Sequence, residues 1–271
     1  MDRFDRQRKI FGDEGQKRLR GTTVGVVGAG GLGSFMVLEL AYLGIGKIVV
    51  VDADLLEDSN RNRLVGAWVT HADGTPKVQL LHDLSRLIDS EIECRAIQDK
   101  VECSDARIAL SGVDIVVGCV DRDGPRFVIN KLCCEYGLPL IDAASDTIPD
   151  EDKVLFGGRV CVATPSTGCL ICLQVLDQNH VNDYFASSEQ RADRDAIYGV
   201  PKTTLADGGP AVITVNGVMA SIAATELMVL VSGIRAPIAH QEWKGHEGRL
   251  VRVVDHQKGC FYCGLRPVTG R

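Results

Sequence analysis

A run rich in β-branched residues, Thr22 to Val27, leads directly into Gly28-Ala29-Gly30-Gly31-Leu32-Gly33, and an apolar stretch at helical spacing, Leu32 to Leu43, follows. A strand, a tight glycine turn and a helix in this order open a doubly wound α/β sheet. Glycines there permit positive φ and let backbone N–H groups approach a phosphate, and the helix N-terminus adds favourable partial charge. The next apolar run, Lys47 to Val51, ends at Asp52, nineteen residues beyond Gly33. An acidic side chain at that distance typically accepts from ribose hydroxyls. Dehydrogenases, flavoproteins and nucleotidyl-transferring enzymes share the glycine pattern, so the remainder of the chain has to separate them.

Strand and helix signals keep alternating. Pro76 stands where a helix could begin, and Val78, Leu80, Leu81, Leu84, Leu87 and Ile88 recur near a 3.6 period. Glu91 to Ile97 and Asp114 to Val120 read as strands, with a helix between them capped by Ser104 and running through Leu110. Arg126 to Tyr136 reads as a helix and Leu138 to Ile141 as a buried strand. Such alternation implies a mostly parallel sheet covered on both faces. Beyond Asp142 the rhythm changes. Val154 to Ala163 reads as a longer strand, Asp177 to Tyr198 as a polar, mobile surface segment, and Gly208-Gly209-Pro210 as the opening of an apolar helix. Ile238 to Lys244 and Leu250 to Val254 are two last strand candidates. Residues 1–271 read as a single unit, with a nucleotide-binding half over about 1–145 and a second half over about 146–271.

The net charge of −6 and a pI near 5.5 argue against a broad nucleic-acid or anionic-membrane footprint. No segment reads as a membrane span, which needs about 20 apolar residues. The nearest, Ala211 to Ile234, is interrupted by Thr214, Asn216, Ser221, Thr225 and Glu226 and reads as a buried core helix. The charged N-terminus has no apolar stretch behind it and does not read as a signal peptide. A cytoplasmic chain is expected, with its ten cysteines serving as thiols or metal ligands rather than disulfides.

Downstream of Asp52 the chain carries more than a dinucleotide cradle requires: Asp52-Ala53-Asp54, Asn60-Arg61-Asn62-Arg63, Thr75-Pro76-Lys77 and Cys119-Val120-Asp121. Arg and Lys are the groups expected to hold a triphosphate and to stabilise charge spreading over a transferring phosphorus. A strand-end carboxylate such as Asp121 suits Mg²⁺, which bridges phosphate oxygens. Behind a glycine loop, this set suggests nucleotidyl transfer. Cys169-Leu170-Ile171-Cys172 and Cys260-Phe261-Tyr262-Cys263 form two knuckles with eighty-seven residues between them. Four thiolates complete a tetrahedral site with no spare position, which implies structural Zn²⁺ tying the C-terminal part to the middle of the fold. The expected fold class is therefore α/β: a doubly wound, Rossmann-like, mostly parallel sheet with a zinc-tied C-terminal part.

Taken together, these residues resemble the MoeB/ThiF family of adenylyltransferases, relatives of the ubiquitin-activating enzymes. The likeness runs from about Arg3 to Cys263. It rests on Arg3-Phe4-Asp5-Arg6-Gln7, Gly28, Gly30, Gly31 and Gly33 of the glycine loop, Asp52 with Asp54, Asn60 with Arg63, Lys77, Cys119-Val120-Asp121, and both knuckles in order. The resemblance implies ATP-dependent adenylation of the C-terminal carboxylate of a small ubiquitin-like protein or a peptide, with release of pyrophosphate. By position it implies that Asp52 holds the ribose, that Asn60, Arg63 and Lys77 contact the phosphates, and that Asp121 binds Mg²⁺. It further implies that Arg6 acts as an arginine finger from the other subunit of a homodimer.

Two positions depart from the family pattern. Leu205 stands where many members carry a cysteine used in later sulfur or thioester chemistry, and no cysteine lies between Cys172 and Cys260. Arg122 follows Asp121 where Asn is usual. Cys94, Cys103, Cys119, Cys133, Cys134 and Cys161 read as small buried hydrophobes by default, with Cys103 and Cys161 the ones that could stand nearer the site. Three other readings compete: a tRNA-modifying, ThiF-like dehydratase, which typically lacks the knuckles; an NAD-dependent oxidoreductase, which leaves Arg63 and Lys77 unexplained; and a non-catalytic scaffold with a decayed site, which the retained phosphate-binding set argues against.

Overall fold

β1 (Thr23–Val27), α2 (Gly31–Leu43) and β2 (Lys47–Val51) form the opening unit, preceded by a helix, α1 (Asp5–Gly21). The structure is a computed structural model and describes residues 2–149, 154–187, 210–254 and 260–264, without the side chains of 148 and 149. After β2 come α3 (Lys77–Ile88), β3 (Glu93–Ile97), α4 (Ser104–Ser111), β4 (Ile115–Gly118), α5 (Asp123–Tyr136), β5 (Leu140–Pro149) and β6 (Val154–Ala163). α6 (Gln178–Phe185), α7 (Ile213–Ser232), β7 (His240–Lys244), β8 (Arg249–Arg252) and a short α8 (Phe261–Gly264) complete the described elements.

The eight strands make one sheet in the order β3-β2-β1-β4-β5-β6-β7-β8. β3, β2, β1, β4 and β5 run parallel, with Val24 beside Ile48 on one side and Ile115 on the other. β6, β7 and β8 continue the sheet antiparallel. The expected mostly parallel α/β class is what forms. Side-chain alternation divides the core in two. Val24, Val26, Ile48, Val50 and Val117 face α1, α2, α3 and α7, whereas Val27, Val49, Val51 and Val116 face α4 and α5. Buried on both faces, these strands carry near-continuous Val and Ile, as parallel strands do. Met36 and Leu40 of α2 are wholly buried between β1 and α7. Truncating either to Ala is expected to cost about 2–5 kcal/mol.

Several expectations shift. Cys103, not Ser104, caps α4, its Sγ accepting from the Ala106 N–H at 3.3 Å. α5 begins at Asp123, one turn before Arg126. The strand read as ending at Ile141 runs on to Pro149 because it pairs antiparallel with the whole of β6. The supposedly mobile stretch from Asp177 starts with a helix, α6, capped by the Asp177 carboxylate; its remainder, 188–198, lies outside the described residues. α7 is long and apolar enough to cross a membrane by length and composition, against the sequence reading, and half of its apolar window is buried. Asn216 and Glu226 on its inner face both have partners: Ser145 donates to Asn216 at 2.7 Å, and Arg235 and Gln241 donate to Glu226. α7 is thereby built into the core, as its interrupted composition suggested.

Candidate active site and metal centre

The chain winds outward from β1 to β2 and β3, then crosses back to β4, so the strand order reverses between β1 and β4. In an open α/β sheet, the crevice beyond the strand ends at such a reversal is the ligand site. Gly28 follows β1 there, and its N–H donates to the Val51 carbonyl at 2.9 Å. Gly28 has φ +99°, and a Cβ on it would meet the Cys119 carbonyl at 2.6 Å. A Cβ on Gly33 would meet the Gly28 carbonyl oxygen at 1.8 Å, so the turn closes on itself only with glycine at both places. Gly31 is walled by Asn216 from α7 and by the backbone of Arg63. Gly30 differs, because a Cβ there would meet nothing within 4 Å. The cradle is tight underneath and open at Gly30.

Asp52 stands beneath the cradle and grips it. One carboxylate oxygen accepts from the Ala29 N–H and the other from the Asp54 N–H. Burial raises the Asp52 pKa above its ordinary value, and these two N–H bonds work against that rise. Lys77, the first residue of α3, is 8% exposed and reaches back to Asp54 with an Nζ–Oδ2 distance of 2.8 Å. Arg63 is half-buried beside Gly31 and donates to the Ser59 carbonyl at 2.6 Å. Asn60 closes a short 3-10 turn, its Oδ1 accepting from the Glu57 N–H. Asp121 is exposed on the loop between β4 and α5. Gly28, Gly30, Gly31, Gly33, Asp52, Asp54, Asn60, Arg63, Lys77 and Asp121 thus converge on the carboxyl edge of β1, β2 and β4. Arg61, from the same basic cluster, is occupied elsewhere: it donates to the carbonyls of Trp68 and His71 and pairs with Asp73.

Arg6 does not join them. It is exposed in the first turn of α1, and its neighbour Gln7 is tied to the Tyr42 carbonyl at 2.8 Å, near the C-terminal end of α2. The glycine loop is at the opposite end of that 13-residue helix, about 20 Å away at 1.5 Å per residue. A guanidinium so placed cannot reach the cradle of its own chain.

Some residues at the site escaped the sequence reading. Arg126 and Asp142 form a buried ion pair beneath the Asp121 loop, with Nε donating to Oδ1 at 2.9 Å. Asn216, which backs the glycine loop, comes from 183 residues further along the chain than Gly33. No local signal announces these contacts, because sheet topology alone creates them.

The four knuckle thiols gather at the far end of α5. All four Sγ atoms lie within 4.8 Å of one another, with Cys169–Cys260 and Cys172–Cys263 each at 3.4 Å. Thiolates around tetrahedral zinc, with Zn–S about 2.3 Å, stand about 3.8 Å apart, so the donor set fits that ion. Cys134, read as inert core, hydrogen-bonds Cys169, and this contact is the largest influence lowering the Cys169 pKa. All ten cysteines are free of disulfides. Burial raises the pKa of Cys119 and Cys133, and pushes that of Cys161 up to about 12. None of those three is set up as a nucleophile. Leu205 and its neighbours lie outside the described residues.

A mostly parallel sheet with a glycine cradle at its reversal point, flanked by Lys77 and Arg63, defines a Rossmann-like nucleotide-binding fold. A family model described as the ThiF family matches residues 4–247, and the chain belongs to that family. The chain is 33% identical over 178 residues to the SAMP-activating enzyme E1 of Haloferax volcanii, covering 64% of this chain and 62% of that protein. It is 28% identical over 256 residues to the sulfur carrier protein ThiS adenylyltransferase of Escherichia coli, covering 93% of this chain and 89% of that one. Among solved structures, E. coli MccB with ATP superimposes with a TM-score of 0.73 at 21% identity, over 97% of this chain and 75% of that one. That likeness is one of fold.

Proposed function

We propose that this chain adenylates the C-terminal carboxylate of a small ubiquitin-like protein or a peptide, using ATP and releasing pyrophosphate. The observation that carries the reading is the pairing of an open glycine cradle at Gly30 with a buried lysine, Lys77, held at its rim. Adenine nucleotide lies along the cradle, with Asp52 on the ribose, the helix N-terminus facing phosphate, and Asn60, Arg63 and Lys77 around the triphosphate. Asp54 keeps Lys77 in place until phosphate takes over as its counter-ion. Asp121 offers the hard oxygen ligand that Mg²⁺ prefers, and that ion, when bound, neutralises phosphate charge. The partner's carboxylate oxygen bonds to the α-phosphorus, and the bond from that phosphorus to the bridging oxygen of pyrophosphate breaks, its electron pair leaving with pyrophosphate. No general base is needed, since the nucleophile is already ionised at neutral pH. Lys77 and Arg63 meet the charge that develops.

The position of Arg6 supports a homodimer in which each subunit lends this arginine to the other's site. A groove of about 870 Å³ along α7, lined by Phe35, Ile213, Gly217 and Leu250, offers the apolar face that a second copy requires. The single sheet running through β1 to β8 supports reading residues 1–271 as one adenylation unit. The assembled thiols support a structural Zn²⁺ held by Cys169, Cys172, Cys260 and Cys263, and count against the tRNA-modifying reading. The convergence of Lys77 and Arg63 on the loop counts against an oxidoreductase.

The test is ATP–pyrophosphate exchange with candidate carboxylate partners. Replacing Asp121 with Ala is expected to reduce exchange by about 10²–10³ while circular dichroism and Tm stay as in the parent chain. Full exchange by a folded D121A chain would remove Asp121 from the chemistry.

A further inference from the structure

We infer that Arg126 is a positioning residue for the adenylation site: its guanidinium fixes the backbone of the loop that carries Asp121. The inference rests on the proposed reading of Asp121 as the magnesium ligand.

Asp121 stands on residues 119–122, between the end of β4 at Gly118 and the start of α5 at Asp123. The loop is tied at its first residue, where the Cys119 N–H donates to the Val27 carbonyl at 2.8 Å. Arg126 holds the rest. Its Nη2 donates to the Val120 carbonyl at 2.6 Å, immediately before Asp121, and its Nη1 donates to Asp123 Oδ1 at 2.7 Å, two residues after. Nε completes the fork on Asp142 Oδ1. Three acceptors, on the loop after β4, at the start of α5 and within β5, are met by one rigid, planar group, which a lysine ammonium cannot reproduce. The Val120 backbone before Asp121 and the Asp123 side chain after it are therefore both held, while Asp121 itself is exposed.

The burial of this arrangement argues for more than stability. Arg126 is 4% exposed and Asp142 is 0% exposed. Asp142 Oδ2 is buried and has no hydrogen-bond partner among the described residues. Buried ion pairs often contribute no more stability than apolar side chains of the same size, and an orphan carboxylate oxygen makes this one poorer still. What an apolar pair could not supply is the bond to the Val120 carbonyl. Asp123 extends the same device: its second oxygen accepts from the Asp177 N–H at 3.0 Å, so the start of α6 hangs from the residue that flanks the loop.

The experiment uses the full chain, with Mn²⁺ as the metal probe and a non-hydrolysable ATP analogue, free Mn²⁺ being read by electron paramagnetic resonance. Arg126→Lys is expected to weaken Mn²⁺ binding to the chain–analogue complex about tenfold, the loss typical when a residue orienting a metal ligand is changed. Affinity for the analogue in EDTA should stay within about twofold of the parent, because the glycine cradle is untouched. Should the lysine variant not fold, the paired variant Arg126→Met with Asp142→Leu removes the whole ion pair and keeps the volume, and it is expected to show the same loss at parental Tm. A folded variant of either kind with parental Mn²⁺ affinity overturns the inference. Asp121→Asn, run beside them, separates the two claims. If it alone weakens Mn²⁺ binding, the inference falls and the magnesium reading stands; if it too binds Mn²⁺ as the parent does, both fall.

Discussion

Gly33 and Gly30 stand three residues apart and answer to different constraints. A methyl group on Gly33 would collide with the Gly28 carbonyl, whereas one on Gly30 meets open space at an ordinary φ of −79°. Gly33→Ala is therefore expected to destabilise the fold by on the order of 1–3 kcal/mol, the usual cost of overpacking. Gly30→Ala should melt like the parent and yet lose ATP affinity. Thermal melts paired with calorimetric titration of ATP check both, and a Gly30→Ala chain that binds ATP normally would mean the cradle opens elsewhere. The glycines, Asp52 and Lys77 were legible because they follow strands at characteristic distances. The bond from Lys77 to Asp54 and the wall that Asn216 builds behind Gly31 were not, since nothing in the local sequence specifies a partner across the fold. Glu39 offers a pH test at the same scale. Burial raises its pKa above the ordinary glutamate value of 4.5, although the Ser221 hydroxyl donates to it. A raised acid loses stability as pH climbs through its folded pKa, because the charged form is the one that burial penalises. Glu39→Gln should accordingly match the parent's Tm at pH 4, where both are neutral, and exceed it at pH 7. Equal melting at both values would show that Glu39 ionises without penalty.

Among the elements, those with strong periodicity were read correctly and those that dock by a few contacts were not. β1, β2 and β4 announce themselves through Val and Ile runs, and α3 through its spaced leucines. α1 buries only Phe11, Gly15, Gln16 and Leu19 over 17 residues and is kinked at Gly12, so its apolar signal is faint. α6 is polar, and is fixed instead by Tyr184 packing on Gly124 and donating to Glu102, and by Phe185 set edge-on to Phe127. α8 depends on the cysteine cluster and on Tyr262 against Phe127. With so little apolar contact of its own, α8 should owe its place to metal, whose apparent binding free energy at such sites is on the order of 10 kcal/mol. Chelation, or Cys260→Ser, is expected to lower Tm and to expose the chain beyond Val254 to protease. Unchanged melting and digestion after complete metal removal, verified by elemental analysis, would assign α8 to packing alone.

At the scale of the molecule, α1 is anchored at the far end of α2, so the role proposed for Arg6 calls for a second copy of the chain. Arg6→Ala and Lys77→Ala subunits, each inactive, should regain roughly a quarter of parental exchange when mixed in equal amounts, because about half of the dimers are mixed and each of those carries one intact site of two. Light scattering confirms the dimers, and an inactive mixture of true heterodimers would mean that Arg6 serves no partner. The order of the reaction belongs to this scale as well. Cys133 and Cys161 are buried, Cys119 is half-buried, all three have raised pKa values, and the knuckle thiols are gathered where the proposed zinc would hold them. The expected product is a free acyl-adenylate handed on to another molecule. A non-reducing gel of enzyme, MgATP and partner should show no thiol-sensitive adduct; an adduct lost on changing Cys103 to Ala would relocate the chemistry there. The mostly parallel fold was legible as a whole from the alternation of strand and helix. The antiparallel extension by β6, β7 and β8 was less so, because isolated strand signals carry no information about direction or order.

The two cysteine knuckles have a topological consequence. With metal between them, the chain from Cys169 to Cys263 would be closed into a ring that includes α7, β7 and β8. A single backbone cut anywhere between Leu173 and Gly259 then opens the ring without releasing either piece. The nicked protein should travel as one particle in native mass spectrometry, at a mass one water higher than the intact chain, until a chelator weakens the bond between its halves.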